Sequence, residues 1–138
     1  MQIIEVKNQI VSTIALIDDE NKILIGKRPV GKVFENLWEF PGGKVKKNET
    51  VEQALIREIK EEINIDLSKN CIAPLAFSTY KGENFNIIIL LFISRKWDLD
   101  PICKVHTELR WVKANELNDY NMPPANKFLV TSLQDLLL

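Results

Sequence analysis

The sequence predicts an α/β fold in which a mixed sheet lies between helical layers. Three observations carry this. Segments with strand character outnumber amphipathic helices. One of them, Phe85 to Ser94 (FNIIILLFIS), is an unbroken apolar run whose length and β-branched content suit a central strand buried on both faces. Two segments, 50–63 and 125–138, carry apolar residues at helical spacing.

In chain order, Ile10–Ile17 reads as a strand. Asp18-Asp19-Glu20-Asn21 is a turn, and Lys22–Lys27 closes a hairpin. Pro29–Asn36 is a loop containing Gly31, and Leu37–Phe40 a short strand entering a sharp turn at Pro41-Gly42-Gly43. A helix follows from Thr50 to Ile63. Thr50 is its N-cap, Gln53 the capping-box partner, and Asn64 a residue that tolerates the left-handed geometry ending helices. Cys71–Tyr80 is the next strand, Lys81–Asn84 a turn, and 85–94 the apolar strand. Trp97–Cys103 is a loop, Leu109–Val112 a strand and Lys113–Leu117 one helical turn. After Pro123-Pro124, the last helix sets Leu129, Leu133, Leu136 and Leu137 on one side. The whole chain is expected to form one domain of 138 residues.

The 50–63 helix carries the chemistry. Val51, Ala54, Leu55 and Ile59 form its apolar stripe, and Glu58, Glu61 and Glu62 follow at i, i+3 and i+4. At about 100° per residue, Glu62 projects only about 20° from Leu55, and Glu58 about 60°. A helix of solvated ion pairs would set these acids opposite the stripe, yet here they lie on or beside it. They also occupy the negative, C-terminal end of the helix dipole. Glu58 and Glu62, about 6 Å apart, repel by roughly 3 kcal/mol at an effective dielectric near 20. A hard divalent cation removes both penalties and invites phosphate. Arg57, at i−4 from Glu61, is placed to orient it or to reach back to Glu49. The Gly42-Gly43 turn lets a bare carbonyl approach the cluster.

Gly43, then Glu49, then Arg57-Glu58-Ile59-Lys60-Glu61-Glu62-Ile63-Asn64-Ile65 resembles the box of the Nudix hydrolases, with Asn64 where the family usually has Gly. The flanking LWEFPGG (37–43) and MPPAN (122–126) resemble the MutT-like subgroup, the 8-oxo-dGTP diphosphatases. The resemblance covers nearly the whole chain. It implies the Nudix α/β/α sandwich and a nucleoside triphosphate pyrophosphohydrolase that uses Mg²⁺, with Mn²⁺ as an alternative. It places Gly43, Glu58, Glu61 and Glu62 as metal ligands. Glu58, Glu61, Arg57 and Glu49 form the catalytic set, with Glu58 or Glu61 as general base and Arg57 and Glu49 supporting them. The implied reaction is hydrolysis of 8-oxo-dGTP to 8-oxo-dGMP and pyrophosphate, which removes damaged nucleotides before DNA replication. The same chemistry on CTP, another (d)NTP or a dinucleoside polyphosphate is the alternative, and a non-catalytic nucleotide-sensing module belongs to a different class.

Lys27 and Arg28, ending a strand before a loop, are substrate-binding candidates for phosphate oxygens; a solvated strand end is the plainer role. Asn126, after two prolines, is either a first-turn helix residue or, through its amide, the reader of a purine edge. Phe77, Tyr80, Phe34 and Trp38 offer a stacking wall or simply core. His106, the lone histidine, is expected to be structural. Relatives often carry an acid just before it; Val105 stands there instead, and Glu108 is the nearest substitute.

A net charge of −1 leaves no electrostatic footprint for a nucleic-acid polymer, while a mononucleotide needs only local charge. With 46% hydrophobic and 27% charged residues, the composition is that of an ordinary globular chain. Cys71 and Cys103 follow no metal spacing and read as free thiols. The N-terminus, MQIIEVKNQIV, carries Glu5 and Lys7 and is not a signal peptide, and no apolar run reaches about 18 residues. A cytoplasmic monomer without membrane partners is expected.

Overall fold

The computed structural model describes residues 7–138; the alternating residues before them lie outside it. Strand β1 (Lys7–Leu16) is the axis of the fold. It pairs in parallel with β6 (Phe85–Ser94) and antiparallel with β4 (Gly42–Lys44); β5 (Ala73–Lys81) pairs antiparallel with β6. This mixed sheet has the order β4-β1-β6-β5. A second, antiparallel sheet joins β3 (Trp38–Glu39), β2 (Lys22–Lys27) and β7 (Glu108–Lys113) in the order β3-β2-β7. The expected hairpin of β1 with β2 does not form: the two strands belong to different sheets, joined after the turn only by an isolated bridge between Ile17 and Ile23.

Alternation along β1 divides the core. Ile14 and Leu16 pack with Leu55, Ile59 and Ile63 of helix α1 (Val51–Ile63). Ala15 and Ile17 face the other way, into a cluster with Leu129, Val130 and Leu133 of helix α2 (Asn126–Leu137). The sheet region therefore lies between two helical layers, as expected, and β1 is buried on both faces in its second half. No helix among the described residues is long and apolar enough to cross a membrane.

Several boundaries differ from the sequence expectation. The Pro-Gly-Gly segment does turn, but Gly42–Lys44 then extends as β4 along β1, because pairing with an adjacent strand supplies hydrogen bonds that propensity does not foresee. Cys71 belongs to a 3-10 turn (Lys69–Cys71), and β5 begins at Ala73. Strand β6 is interior to its sheet, yet its first six residues are exposed or only half-buried; burial on both faces begins near Leu91, where the helices cover it. The turn after β7 is a 3-10 helix (Ala114–Asp119). Leu136, grouped with Leu129, Leu133 and Leu137 on one side of α2, is exposed; the core reaches Leu137 in the last turn but not Leu136.

Helix α1 is bounded as its sequence predicts. The Thr50 side chain accepts from Gln53 N at 3.1 Å, and the Gln53 side chain accepts from Thr50 N at 2.8 Å, completing the capping box. Asn64 closes the helix at φ 60°, its N–H donating to Lys60 O at 3.2 Å. Asparagine thus fills the left-handed position usually given to glycine. Replacing Asn64 by Gly should preserve the urea midpoint or raise it slightly, whereas Asn64→Val should lower stability by about 1–2 kcal/mol, the cost of a left-handed β-branched residue.

Candidate functional site

Strand β4 and the C-terminal half of α1 meet at the box residues. The Ser12 hydroxyl donates to Val51 O at 2.9 Å, tying β1 to the start of the helix. A methyl group added at Gly43 would overlap the Glu58 carboxylate, so glycine lets the β4 backbone lie beside that carboxylate where Arg57 holds it.

Arg57 is the hub of the cluster. Its Nε and Nη2 donate to the two carboxylate oxygens of Glu49 at 3.1 and 2.6 Å, a bidentate pair. Its Nη1 reaches Glu58 at 2.7 Å and Glu61 at 3.5 Å, and Nη2 also donates to Lys44 O at 3.1 Å. Of the two orientations foreseen for Arg57, the reach back to Glu49 is the close one and that to Glu61 is long; Glu49 also accepts from Lys46 N at 2.7 Å. The hydrogen bonds from Arg57, then from the Lys46 backbone, hold the Glu49 carboxyl down to about 2. Donating to Glu49, and also to Glu58, raises the Arg57 guanidinium above its ordinary value.

Glu62 lies inward, as its angular position on the stripe predicts, with Leu55 and Ile59 buried beside it. Burial pushes its carboxyl up to about 9, the neighbouring charge of Glu39 adds to this, and Glu58 contributes as a further neighbour. The Gly42 N–H, 3.4 Å away, opposes the shift only weakly. Glu61, by contrast, is the most solvent-facing of the three helix acids.

Two residues of the cluster were not foreseen as polar partners. Trp38 and Phe40 turn into the core, so the pleat sends Glu39 between them to the opposite side, towards Glu62. Glu39 accepts from Arg28 Nη1 at 2.8 Å and pairs with His106 Nε2 at 2.9 Å. His106 Nε2 also lies 3.8 Å from Glu62, and donor atoms of Glu39, Glu62 and His106 all fall within 4.8 Å of one another. His106 is thus buried, as a structural histidine should be, but its partners are acids of the site. A methyl at Gly26 would stand 2.6 Å from His106 Cδ2, so Gly26 makes room for the ring. The signal for Glu39 was a lone acid between two large aromatics. Glu108 does not stand in for the acid missing at Val105, because its carboxylate is turned to Arg110.

Beside the acids opens a cavity of about 360 Å³, whose walls include Thr13, Arg28, Phe34, Glu39, Lys44 and Asn126. Asn126 is buried at the first residue of α2; its side chain caps nothing, its nearest partner being Met122 Sδ at 4.0 Å. Arg28 lines this cavity, but Lys27 does not: its ammonium stands 6.0 Å from the centre of the Trp38 ring. Of the aromatic candidates, Phe34 reaches the cavity, Tyr80 packs edge-on behind it, Trp38 is core, and Phe77 is exposed on β5. A larger groove of about 540 Å³, between the start of α1 and strand β5, brings no acidic cluster together. Cys71 and Cys103 are free thiols.

The donor set suits a hard divalent cation. Oxygens of Glu39 and Glu62 converge with the His106 ring nitrogen, the least exposed of the helix carboxylates is the one whose charge is most disfavoured, and Arg57 is spent on Glu49 and Glu58.

A NUDIX domain matches residues 7–133. The chain is 30% identical over 124 residues to an 8-oxo-dGTP diphosphatase of Escherichia coli, covering 86% of this chain and 91% of that protein. It is 32% identical over 114 residues to a CTP pyrophosphohydrolase of the same organism, covering 81% of this chain and 82% of that one. A structure of MutT from Aliivibrio salmonicida and Vibrio cholerae superposes with a TM-score of 0.78 at 28% identity, covering 94% of this chain and 99% of the other. With the box geometry and these likenesses together, the chain belongs to the Nudix family and is a MutT-like pyrophosphohydrolase.

Proposed function

We propose that the protein is a Mg²⁺-dependent nucleoside triphosphate pyrophosphohydrolase whose preferred substrate is an oxidised purine nucleotide, 8-oxo-dGTP. The observation that carries this is the adjacency of a buried, charge-crowded carboxylate, Glu62, to a cavity lined by a buried amide, Asn126, whose one recorded side-chain partner is the Met122 sulfur. The 8-oxo-dGTP diphosphatase among its relatives supports the purine, and the CTP pyrophosphohydrolase makes CTP the second reading.

Glu58, Glu61 and Glu62, with the Gly43 carbonyl, would hold the cation. Bound there, Mg²⁺ (or Mn²⁺) offsets phosphate charge and makes a water more acidic. Glu61 is the most exposed of these acids and meets Arg57 only at 3.5 Å, which leaves its carboxylate free to take a proton from the attacking water. That oxygen attacks the β-phosphorus, and the bond from Pβ to the bridging oxygen of the α-phosphate breaks, giving the monophosphate and pyrophosphate. Arg57 and Glu49 keep Glu58 in place. Arg28 from the cavity wall, and Lys27 from over Trp38, add positive charge for the triphosphate. Asn126 pairs with the purine edge. The nucleotide, rather than a polymer or a membrane, is the partner, in keeping with a net charge of −1, and the chain acts as a cytoplasmic monomer that cleans the nucleotide pool.

Pyrophosphate release across a panel of normal and oxidised nucleotides, with Mg²⁺ and with chelator, tests the proposal; turnover of none of them would sink it. Glu61→Gln should lower kcat by at least about 100-fold while leaving the fold intact. Asn126→Ala should cut the preference for 8-oxo-dGTP over dGTP by about tenfold, as expected when one buried hydrogen bond is lost; an unchanged preference would remove Asn126 as the base reader.

Glu62 also gives the metal-free protein a pH signature. Its folded carboxyl, near 9, lies above the unfolded value, 4.5, so the folded chain holds the extra proton. Its contribution to stability is complete below about 4.5 and is lost as pH rises towards 9. In chelator, the urea midpoint should fall between pH 6 and pH 9, and Glu62→Gln should flatten that fall. An identical pH slope in the two proteins would contradict the assignment.

A further inference from the structure

Resting on the reading of the 360 Å³ cavity as a nucleoside pocket, we propose that Phe34 is its specificity-determining wall, set in place by a brace that runs from His106 through Glu39 and Arg28 to the backbone of the 29–36 loop. In this arrangement Arg28, beyond the charge it lends the triphosphate, is a positioning residue for the loop.

The brace is continuous. His106, buried in the space left by Gly26, pairs with one oxygen of Glu39 at 2.9 Å. The other Glu39 oxygen accepts from Arg28 Nη1 at 2.8 Å, and Arg28 Nε donates to Val33 O at 2.6 Å. Asn36 N returns to Arg28 O at 3.0 Å, so the loop is tied to Arg28 at both main chain and side chain. The planar guanidinium spans Glu39 and Val33 with two differently directed N–H groups, a geometry that a lysine ammonium does not reproduce.

The loop held this way is strained where it meets the cavity. Phe34 sits at φ 59° and Asn36 at φ 64°. A left-handed phenylalanine is an outlier that persists only where its surroundings over-determine it. Here Leu37 N donates to Phe34 O at 3.1 Å, and the Glu35 carboxylate accepts from Gly31 N at 2.7 Å. The result is a half-exposed ring on the cavity wall, backed edge-on by Tyr80 at 6.4 Å, with Tyr80 in turn against Phe85. A ring so supported, on the same cavity as the buried Asn126 amide, offers a stacking face for a planar base while the amide addresses its edge.

The test uses Phe34→Ala, Phe34→Trp, Arg28→Lys and the Phe34→Ala/Arg28→Lys pair, assayed on whichever triphosphate the wild type cleaves best. Phe34→Ala should raise KM by about tenfold, with the loss falling on KM and not on kcat, and Phe34→Trp should restore it. Arg28→Lys, which keeps the charge, should reproduce the Phe34→Ala rise, and the double variant should be no worse than either single one. Inorganic tripolyphosphate carries the phosphates without a base, so its inhibition constant should stay within about threefold of wild type in every variant. Amides of residues 30–37 should exchange faster in Arg28→Lys while those of α1 do not. An unchanged KM in Phe34→Ala, a tripolyphosphate constant that rises with KM in Arg28→Lys, or an unaltered loop exchange rate would each overturn the proposal. A wild type that cleaves no triphosphate sinks the nucleotide reading instead, and the exchange measurement still decides the brace.

Discussion

The structure turns on a negative charge placed where a fold ought not to put one. Glu62 stands on the apolar stripe of α1 with Glu58 one turn before it and Glu39 across from it. Its neighbours Leu55, Ile59 and Ile63 are fully buried, so the helix cannot roll to expose the acid without lifting a core of α1, β1 and β2 residues. The chain therefore keeps a carboxylate in an environment that disfavours its charge, and the surrounding polar contacts limit the damage without cancelling it. Gly42 N–H is too far to do more than soften the shift, and Arg57 is spent on Glu49 and Glu58. Such a residue is stable protonated or beside a cation, and the environment around it is arranged for the second.

Around that point the fold brings backbone and side chain closer than ordinary packing permits, and glycine is the device each time. Gly43 lets β4 press against the Glu58 carboxylate, and Gly26 lets the His106 ring settle against β2. Both lie on strands whose other residues are fixed by pairing, Gly43 opposite Ser12 and Gly26 opposite Glu39. The close approach is thus rigid, since neither strand can retreat without breaking its ladder. The parallel β1–β6 pair, held along ten residues, frames the Gly43 approach, and the β3-β2-β7 sheet frames that of Gly26.

What could be read from the chain, and what could not, follows from how far apart in sequence the cooperating residues lie. The capping box of Thr50 and Gln53, the left-handed Asn64, the inward lean of Glu62 and the bidentate reach of Arg57 to Glu49 are local relations, set by helical geometry over a span of at most eight residues, and each is present. The Lys22–Lys27 strand was legible for the same reason. Strand β4 was not, because Gly42–Lys44 has no strand character of its own and extends only by pairing with β1 thirty residues earlier. Leu136 and the first half of β6 were assigned to the core by pattern alone, and pattern does not report which side chains the opposing layer reaches. His106 and Glu39 are 67 residues apart, and their meeting depends on β7 and β3 flanking the same strand.

That last arrangement also explains why a lone histidine could be both structural and close to the site. Strand β2 carries β3 on one edge and β7 on the other, and Thr107 N donates to Lys27 O at 2.9 Å just before β7 begins. This hydrogen bond sets the chain so that His106 crosses over Gly26 towards Glu39, the residue paired with Gly26 on the opposite edge. With the ring in place, one Glu39 oxygen is committed, and the second is left facing Arg28. A carboxylate held from both sides in this way cannot swing towards Glu62 to crowd it further, nor away from it to relieve the repulsion. The distance between the two acids is therefore fixed by the sheet, and the electrostatic character of the site is a property of strand order as much as of the helix that carries most of its charge.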